Sequence, residues 1–219
     1  MSMSQLIAQQ RKYTLLMLTL ITILLTTAFV AEEKGVFLLS VLLLTAIVLM
    51  IRTFYLHQRT FYLYIGLALV AGLCDLIYLV VFDHRTISPL AIAADTIYAG
   101  FLLLSIVLIT HKLFTYEAVS GDIIVGGICV YLLMGNLWFL LYDNLSILDV
   151  NAFSAAHPID SFDLLYFSFT TLTTVGYGDI VPVSQVARVF ANLEAIVGVM
   201  FPAIFIALLV GQYNPQRTS

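Results

Sequence analysis

The stretch "TTLTTVGYGDIVP", Thr170 to Pro182, lies between two long apolar runs. Its two glycines, tyrosine and aspartate make it too irregular for a helix. Non-helical backbone is tolerated at membrane depth only where protein buries it or where it lines a water-filled path. A chain that places such a segment between two spans needs backbone groups there, exposed to something other than lipid.

Composition settles that the setting is a membrane. Of 219 residues, 62% are hydrophobic and 10% charged, a balance with too little polar surface for a soluble globule. Cys74 and Cys129 fall inside apolar runs with no spacing that speaks for a disulfide framework or a metal site, so both read as small buried packing residues. The first twelve residues lack the apolar core and cleavage site of a signal peptide. The run that starts at Tyr13 is therefore expected to stay as a span. No internal repeat or low-complexity linker is visible, and the polar end "GQYNPQRTS" leads to the expectation of no cytoplasmic domain.

Six segments approach or exceed the ~20 apolar residues needed to cross ~30 Å of hydrocarbon. They are 13–31, 36–51, 61–82, 89–110, 122–142 and 185–211, the second being short. A seventh stretch, 162–172, is too short to cross. Arg11, Lys12, Arg52, Arg59, Lys112 and Arg217 gather at one set of ends. By the positive-inside rule both termini are expected in the cytoplasm. The loop after 142 then lies outside, and it carries Asp143, Asp149, Asp160, Asp163 and Asp179 without Lys or Arg. A solvated acidic loop and a cation-attracting vestibule both account for it.

Pro158, Asp160 and Ser161 make a helix start for "FDLLYFSFTTL". Eleven residues give about 16 Å, roughly half the membrane. The next six, "TTVGYG", reach up to ~20 Å if extended. The segment is thus expected to enter from outside as a helix, stop near midplane and return as extended chain. Gly176 and Gly178 alternate with Val175 and Tyr177, and positive φ at the glycines lets successive carbonyls turn to one side. Several such rows around an axis make oxygen cages able to replace the water shell of a cation.

"TTVGYGD", Thr173 to Asp179, resembles the selectivity filter of potassium channels, and "SFTTLTTVGYGDIVP" also resembles the pore helix and filter exit of that family. The similarity covers about a third of the chain. It implies an all-α membrane protein with six transmembrane helices, a re-entrant pore helix and filter, and assembly as a homotetramer. A four-helix module over 1–112 would precede a pore domain over 113–219, with outer helix 122–142, pore helix 162–172, filter 173–179 and inner helix 185–211. By that resemblance the carbonyls of Thr174, Val175, Gly176 and Tyr177 would coordinate K⁺, with the Thr174 hydroxyl closing the innermost site. Thr173, Gly178, Asp179, Thr170 and Glu194 would support them, and the Tyr177 ring would pack against the pore helix. Some bacterial relatives hold the matching aspartate with a glutamate where this chain has Thr170, so the clamp on Asp179 is open. The pore helix would aim its partially negative end at the cavity.

In the run 185–211, Gly198 matches the hinge glycine of the family's inner helices, and Pro202 removes a helical hydrogen bond. An ordinary transmembrane glycine and proline explain the pair as well. Val199, Pro202, Ile206 and Leu209 share one helical face, either as an apolar constriction or as a lipid or neighbour contact. Glu194 is an ionisable group inside a span, expected to hydrogen-bond the pore helix or to tune the filter. Arg188 stands where related bacterial channels also carry arginine.

Six helices and one pore loop resemble voltage-gated channels, yet the run 89–110 holds no Lys or Arg. One charge moved through 100 mV gains ~2.3 kcal/mol, and an uncharged helix gains nothing. Little voltage sensing is expected by that route. Asp75 and Asp95 each lie ~10 Å in from the outer end of their spans, either as a proton-sharing sensor pair or as two separately satisfied groups.

The leading function is passive K⁺ conduction, with no enzyme activity and no cofactor beyond the permeant ion. Expected partners are copies of itself and membrane lipids, with no nucleic acid, in a plasma membrane. A non-selective cation channel is the alternative within that class. "GYGD" also fits the motif of intramembrane aspartyl proteases, but Asp143 and Asp179 both fall near water and no Pro-Ala-Leu motif is present. A regulatory subunit with an incidental pore is a third reading.

Overall fold

The computed structural model describes residues 13–25, 38, 41–43, 45–46, 66, 69–73, 89–115 and 121–212. Of the expected spans 36–51 and 61–82, only the scattered positions just given fall within it, all helical. Cys74 and Asp75 lie outside the described residues.

The described chain is mostly helical. Its helices are α1 (Tyr13–Leu25), α2 (Pro89–Thr115), α3 (Gly121–Leu148), α4 (Ser161–Leu172) and α5 (Gln185–Gln212). Three of them, α2, α3 and α5, are long and apolar enough to cross a membrane. At 1.5 Å per residue each is about 40 Å long, more than the hydrocarbon requires. The surplus explains where expectation and structure part. Helix α2 runs past 110 to Thr115, and α3 runs past 142 to Leu148. Hydropathy marks where lipid ends, whereas a helix continues for as long as its backbone bonds are its best partners. At the end of α3 the Ser146 hydroxyl donates to the Asp143 carbonyl (2.8 Å) and the Asp149 N–H to that of Leu145 (2.9 Å).

Helix α3 occupies the middle of the packing, touching α2, α4 and α5. Its most apolar window is 56% buried, against 17% for α5. Helix α1 buries Tyr13, Leu16, Leu20 and Ile23, a single stripe at helical spacing. Its first residue meets α3 through the Cys129 thiol, which donates to the Tyr13 carbonyl at 3.4 Å. Cys129 is fully buried, as a small packing residue.

Two short strands depart from the all-α expectation. β1 (Phe153–Ser154) pairs antiparallel with β2 (Val181–Pro182), Phe153 opposite Pro182 and Ser154 opposite Val181. The Ala152 carbonyl extends this link by accepting the N–H groups of Val183 (2.8 Å) and Ser184 (3.2 Å). Strands of two residues carry no alternation from which to expect them.

Helix α5 crosses the end of α4 at Gly198. A Cβ at that position would stand 1.9 Å from the Leu172 carbonyl oxygen, a backbone atom that cannot swing aside. The Tyr131 hydroxyl of α3 donates to the same oxygen at 3.1 Å. Gly198→Ala should therefore destabilise the protein by ~1–3 kcal/mol through overpacking. Thermal unfolding in detergent reads this, and an unchanged midpoint would refute the close approach.

Candidate functional site

Helix α4 has twelve residues, about 18 Å, and cannot cross a bilayer. Its start is built by a reciprocal capping box: the Asp163 N–H donates to the Asp160 carboxylate (2.8 Å) and the Asp160 N–H to the Asp163 carboxylate (3.0 Å). The Ser161 hydroxyl donates to Asp143 at 2.9 Å, tying this start to the end of α3. Two aspartates of the acidic loop are thus the helix cap, and a third is its anchor.

The other end of α4 shapes the loop beyond it. The Phe169 carbonyl accepts the Thr173 N–H (3.1 Å), the Thr171 carbonyl that of Thr174 (2.9 Å), and the Thr170 carbonyl those of Val175 (2.9 Å) and Gly176 (3.2 Å). Four successive N–H groups point back at the helix. Among the described residues, no carbonyl from 174 to 177 accepts a hydrogen bond. Backbone handedness alternates along the same row, with φ of 60° at Thr174, 51° at Gly176 and 82° at Gly178. Glycine takes these values freely, whereas left-handed backbone costs Thr174 about 1–2 kcal/mol. Alternation turns the carbonyls of neighbouring residues to a common side. Residues 173–179 are all exposed between buried Leu172 and Ile180, with Val175 53% and Tyr177 72% accessible.

The expected supporting residues fall into two groups. Beside the outer end, the Tyr166 hydroxyl donates to Asp179 at 2.8 Å, and the Tyr166 and Tyr177 rings stack at 6.2 Å and 6°. This answers what holds Asp179. The Tyr166 hydrogen bond keeps the Asp179 carboxyl below the ordinary carboxylate range. Thr170 takes no part in that clamp, since its hydroxyl donates to the Phe167 carbonyl (3.0 Å). His157 Nδ1 lies 3.5 Å from the Asp163 carboxylate. Its imidazole is shifted upward first by the Pro158 carbonyl and then by Asp163.

Behind the loop, Glu194 is fully buried. The Tyr142 hydroxyl of α3 donates to one of its oxygens at 2.5 Å, and Ser168 of α4 lies 2.6 Å from the other. Arg188 Nε donates to the Pro182 carbonyl at 3.2 Å, bracing the exit of the loop. Tyr142, Phe153 and Phe167 pack edge to face in a closed triangle with centroids 5.1–5.5 Å apart, joining α3, β1 and α4.

Residues 123–213 match the family model described as ion channel. Over 77 residues, 35% of this chain and 20% of the relative, the sequence is 35% identical to the two pore potassium channel b of Oryza sativa subsp. japonica. Over 54 residues, 22% of this chain and 13% of the relative, it is 46% identical to the voltage-gated potassium channel Kch of Escherichia coli (strain K12). Through this segment the chain is similar to ion channels, and to these potassium channels in particular. No solved structure matches it. The chain spans a fifth or less of the length of these curated relatives.

The remaining expected residues lie on α5 and α2 and not on the loop itself. Pro202 is half-buried in a helix that continues through it, and Val199 and Ile206 are exposed, while Leu209 packs against the core. Asp95 is half-buried on α2. The sequence reading missed Tyr166, Ser168 and Tyr142. Tyr166 was within reach: it stands one helical turn before Thr170, at the depth of the loop's exit.

The sign of the Asp179 shift gives a test. A carboxyl with a depressed folded pKa contributes its contact above the unfolded value and loses it as pH falls through the folded one. Tyr166→Phe should raise the Asp179 titration midpoint toward the ordinary range, read by ¹³C NMR of aspartate-labelled protein. An unmoved midpoint would mean that the hydroxyl does not hold it.

Proposed function

We propose that the protein conducts K⁺ selectively and passively through a filter to which each of four identical copies contributes residues 173–179. The row of unpartnered carbonyls from Thr174 to Tyr177 carries this reading. Oxygens left without hydrogen bonds at membrane depth are costly unless a cation or water takes them. Four such rows around an axis supply the coordination that a dehydrated potassium ion needs. On this reading Thr174, Val175, Gly176 and Tyr177 hold the ion, with Thr173, Gly178 and Asp179 as the ends of the filter and α4 as the pore helix.

A fourfold assembly also suits the surface of α5. Val189, Leu193, Ile196, Val199, Met200 and Ile206 are each about half exposed, an apolar face that a single copy leaves uncovered. Copies of this chain would cover part of it, a lipid-filled groove another part, and the face toward the axis would form the cavity wall. Gly198 and Pro202 form a hinge in this scheme, because proline has no N–H for the carbonyl four residues earlier, which is that of Gly198 itself. Residues 1–112 would form the peripheral four-helix module, with both termini in the cytoplasm. Helix α2 keeps its only Lys or Arg, Lys112, in its last turn, so the field across the membrane has little charge to move.

Liposomes holding the purified protein should show Ba²⁺-sensitive K⁺ flux with a reversal potential that follows the K⁺ gradient. Gly176→Ala should abolish the flux, since an alanine there is strained at positive φ and turns its carbonyl away. A reversal potential indifferent to K⁺ refutes selectivity, and flux unaltered by Gly176→Ala refutes conduction through this loop.

A further inference from the structure

Glu194 carries a carboxyl on a spanning helix, is 0% exposed, and forms no ion pair among the described residues. Two oxygen contacts are made to it, and a third continues from Ser168. Tyr142 lies 2.5 Å from Oε2, Ser168 Oγ lies 2.6 Å from Oε1, and Ser168 Oγ also lies 2.8 Å from the Gly135 carbonyl. Each contact needs a hydrogen, and the two hydroxyls supply two. A carbonyl can only accept, so the Ser168 hydrogen goes to Gly135. The Tyr142 hydrogen goes to Oε2. The short contact between Ser168 and Oε1 then lacks a hydrogen unless the carboxyl provides it, and a buried pair of bare oxygens is repulsive and unsatisfied. The titratable groups facing Glu194 are Tyr142 and Tyr131, both from α3, while α4 presents only the Ser168 hydroxyl.

We propose that Glu194 is a positioning residue for the filter, linking inner helix, outer helix and pore helix through a chain of three hydrogens in which its own carboxyl hydrogen goes to Ser168. This deepens the proposed channel function and rests on it. The route to the ion is short. Ser168 lies two residues before Thr170, whose carbonyl holds the N–H groups of Val175 and Gly176. Glu194 lies one helical turn before Gly198, so a bend of α5 there would pull on the same chain.

Full-length protein in liposomes tests it with three variants. Glu194→Gln keeps one donor and one acceptor and can satisfy all three contacts. Glu194→Leu has similar size but makes neither of the two contacts of position 194, leaving only the Ser168–Gly135 bond, and Ser168→Ala removes the middle of the chain. Expected is a K⁺:Na⁺ permeability ratio that falls roughly tenfold in Glu194→Leu and Ser168→Ala, the order of one lost buried hydrogen bond, with Glu194→Gln staying nearest to wild type. Infrared spectra at neutral pH should show a carboxylic-acid C=O stretch in wild type that disappears in Glu194→Gln. The proposal is overturned if that region of the spectrum is unchanged by Glu194→Gln, or if Glu194→Gln loses as much selectivity as Glu194→Leu. Should the leucine variant fail to assemble, the infrared comparison decides. If wild type itself passes no K⁺, the channel reading fails, while the infrared result still reports the hydrogen on Glu194.

Discussion

The carbonyls of Phe169, Thr170 and Thr171 accept the N–H groups of Thr173 through Gly176, and the loop's chemistry depends on this reversal. A helix ends with carbonyls that lack partners, and chains usually close them with a glycine turn or with water. Here the following residues close them instead. Their donors are thereby fixed inward, and their own carbonyls are left facing away from the helix. The left-handed backbone at Thr174, Gly176 and Gly178 completes the arrangement. Strain at Thr174 is tolerable because its N–H is held by Thr171, so the conformation is imposed by its surroundings rather than chosen by the residue.

In the proposed channel, a row of oxygens selects an ion only if it does not drift, and the packing behind the loop would meet that need with three different interactions. Tyr166 holds the outer end through a hydroxyl and a stacked ring. The edge-to-face triangle of Tyr142, Phe153 and Phe167 fixes α4 sideways. The inner end meets α5 at Gly198 and α3 at Tyr131, both on the Leu172 carbonyl. Tyr142 joins the triangle to the Glu194 chain, so the aromatic and polar supports share one side chain.

Much of this was legible in the sequence, for identifiable reasons. The apolar length of α2, α3 and α5 shows in hydropathy because lipid imposes one solvent along the whole span. The start of α4 shows in Pro158, Asp160 and Ser161 because helix-start signals are local, while the reciprocal role of Asp163 appears only in the structure. The glycine alternation shows because φ is a property of single residues. A hydrogen bond from Glu194 to the pore helix is expected because an ionisable group in a span needs a partner, but that the partner is Ser168, 26 residues away, is decided by tertiary packing. The same holds for Gly198 against Leu172: a glycine suggests flexibility in isolation, and its role as a contact point appears only when the second helix is in place.

The pairing of Phe153–Ser154 with Val181–Pro182 closes the polypeptide into a loop that contains the whole of α4 and the carbonyl row. The pairing of its entrance with its exit is made by backbone hydrogen bonds, with Arg188 as a side-chain brace on Pro182. A cassette cut at Ala152 and Ser184 therefore carries its own neck, and grafting it into a distant relative would preserve the closure. The graft would arrive without its backing, because Tyr131, Tyr142, Gly198 and Glu194 all belong to the flanking helices. Exchange between lineages thus has to move those four positions together with the cassette.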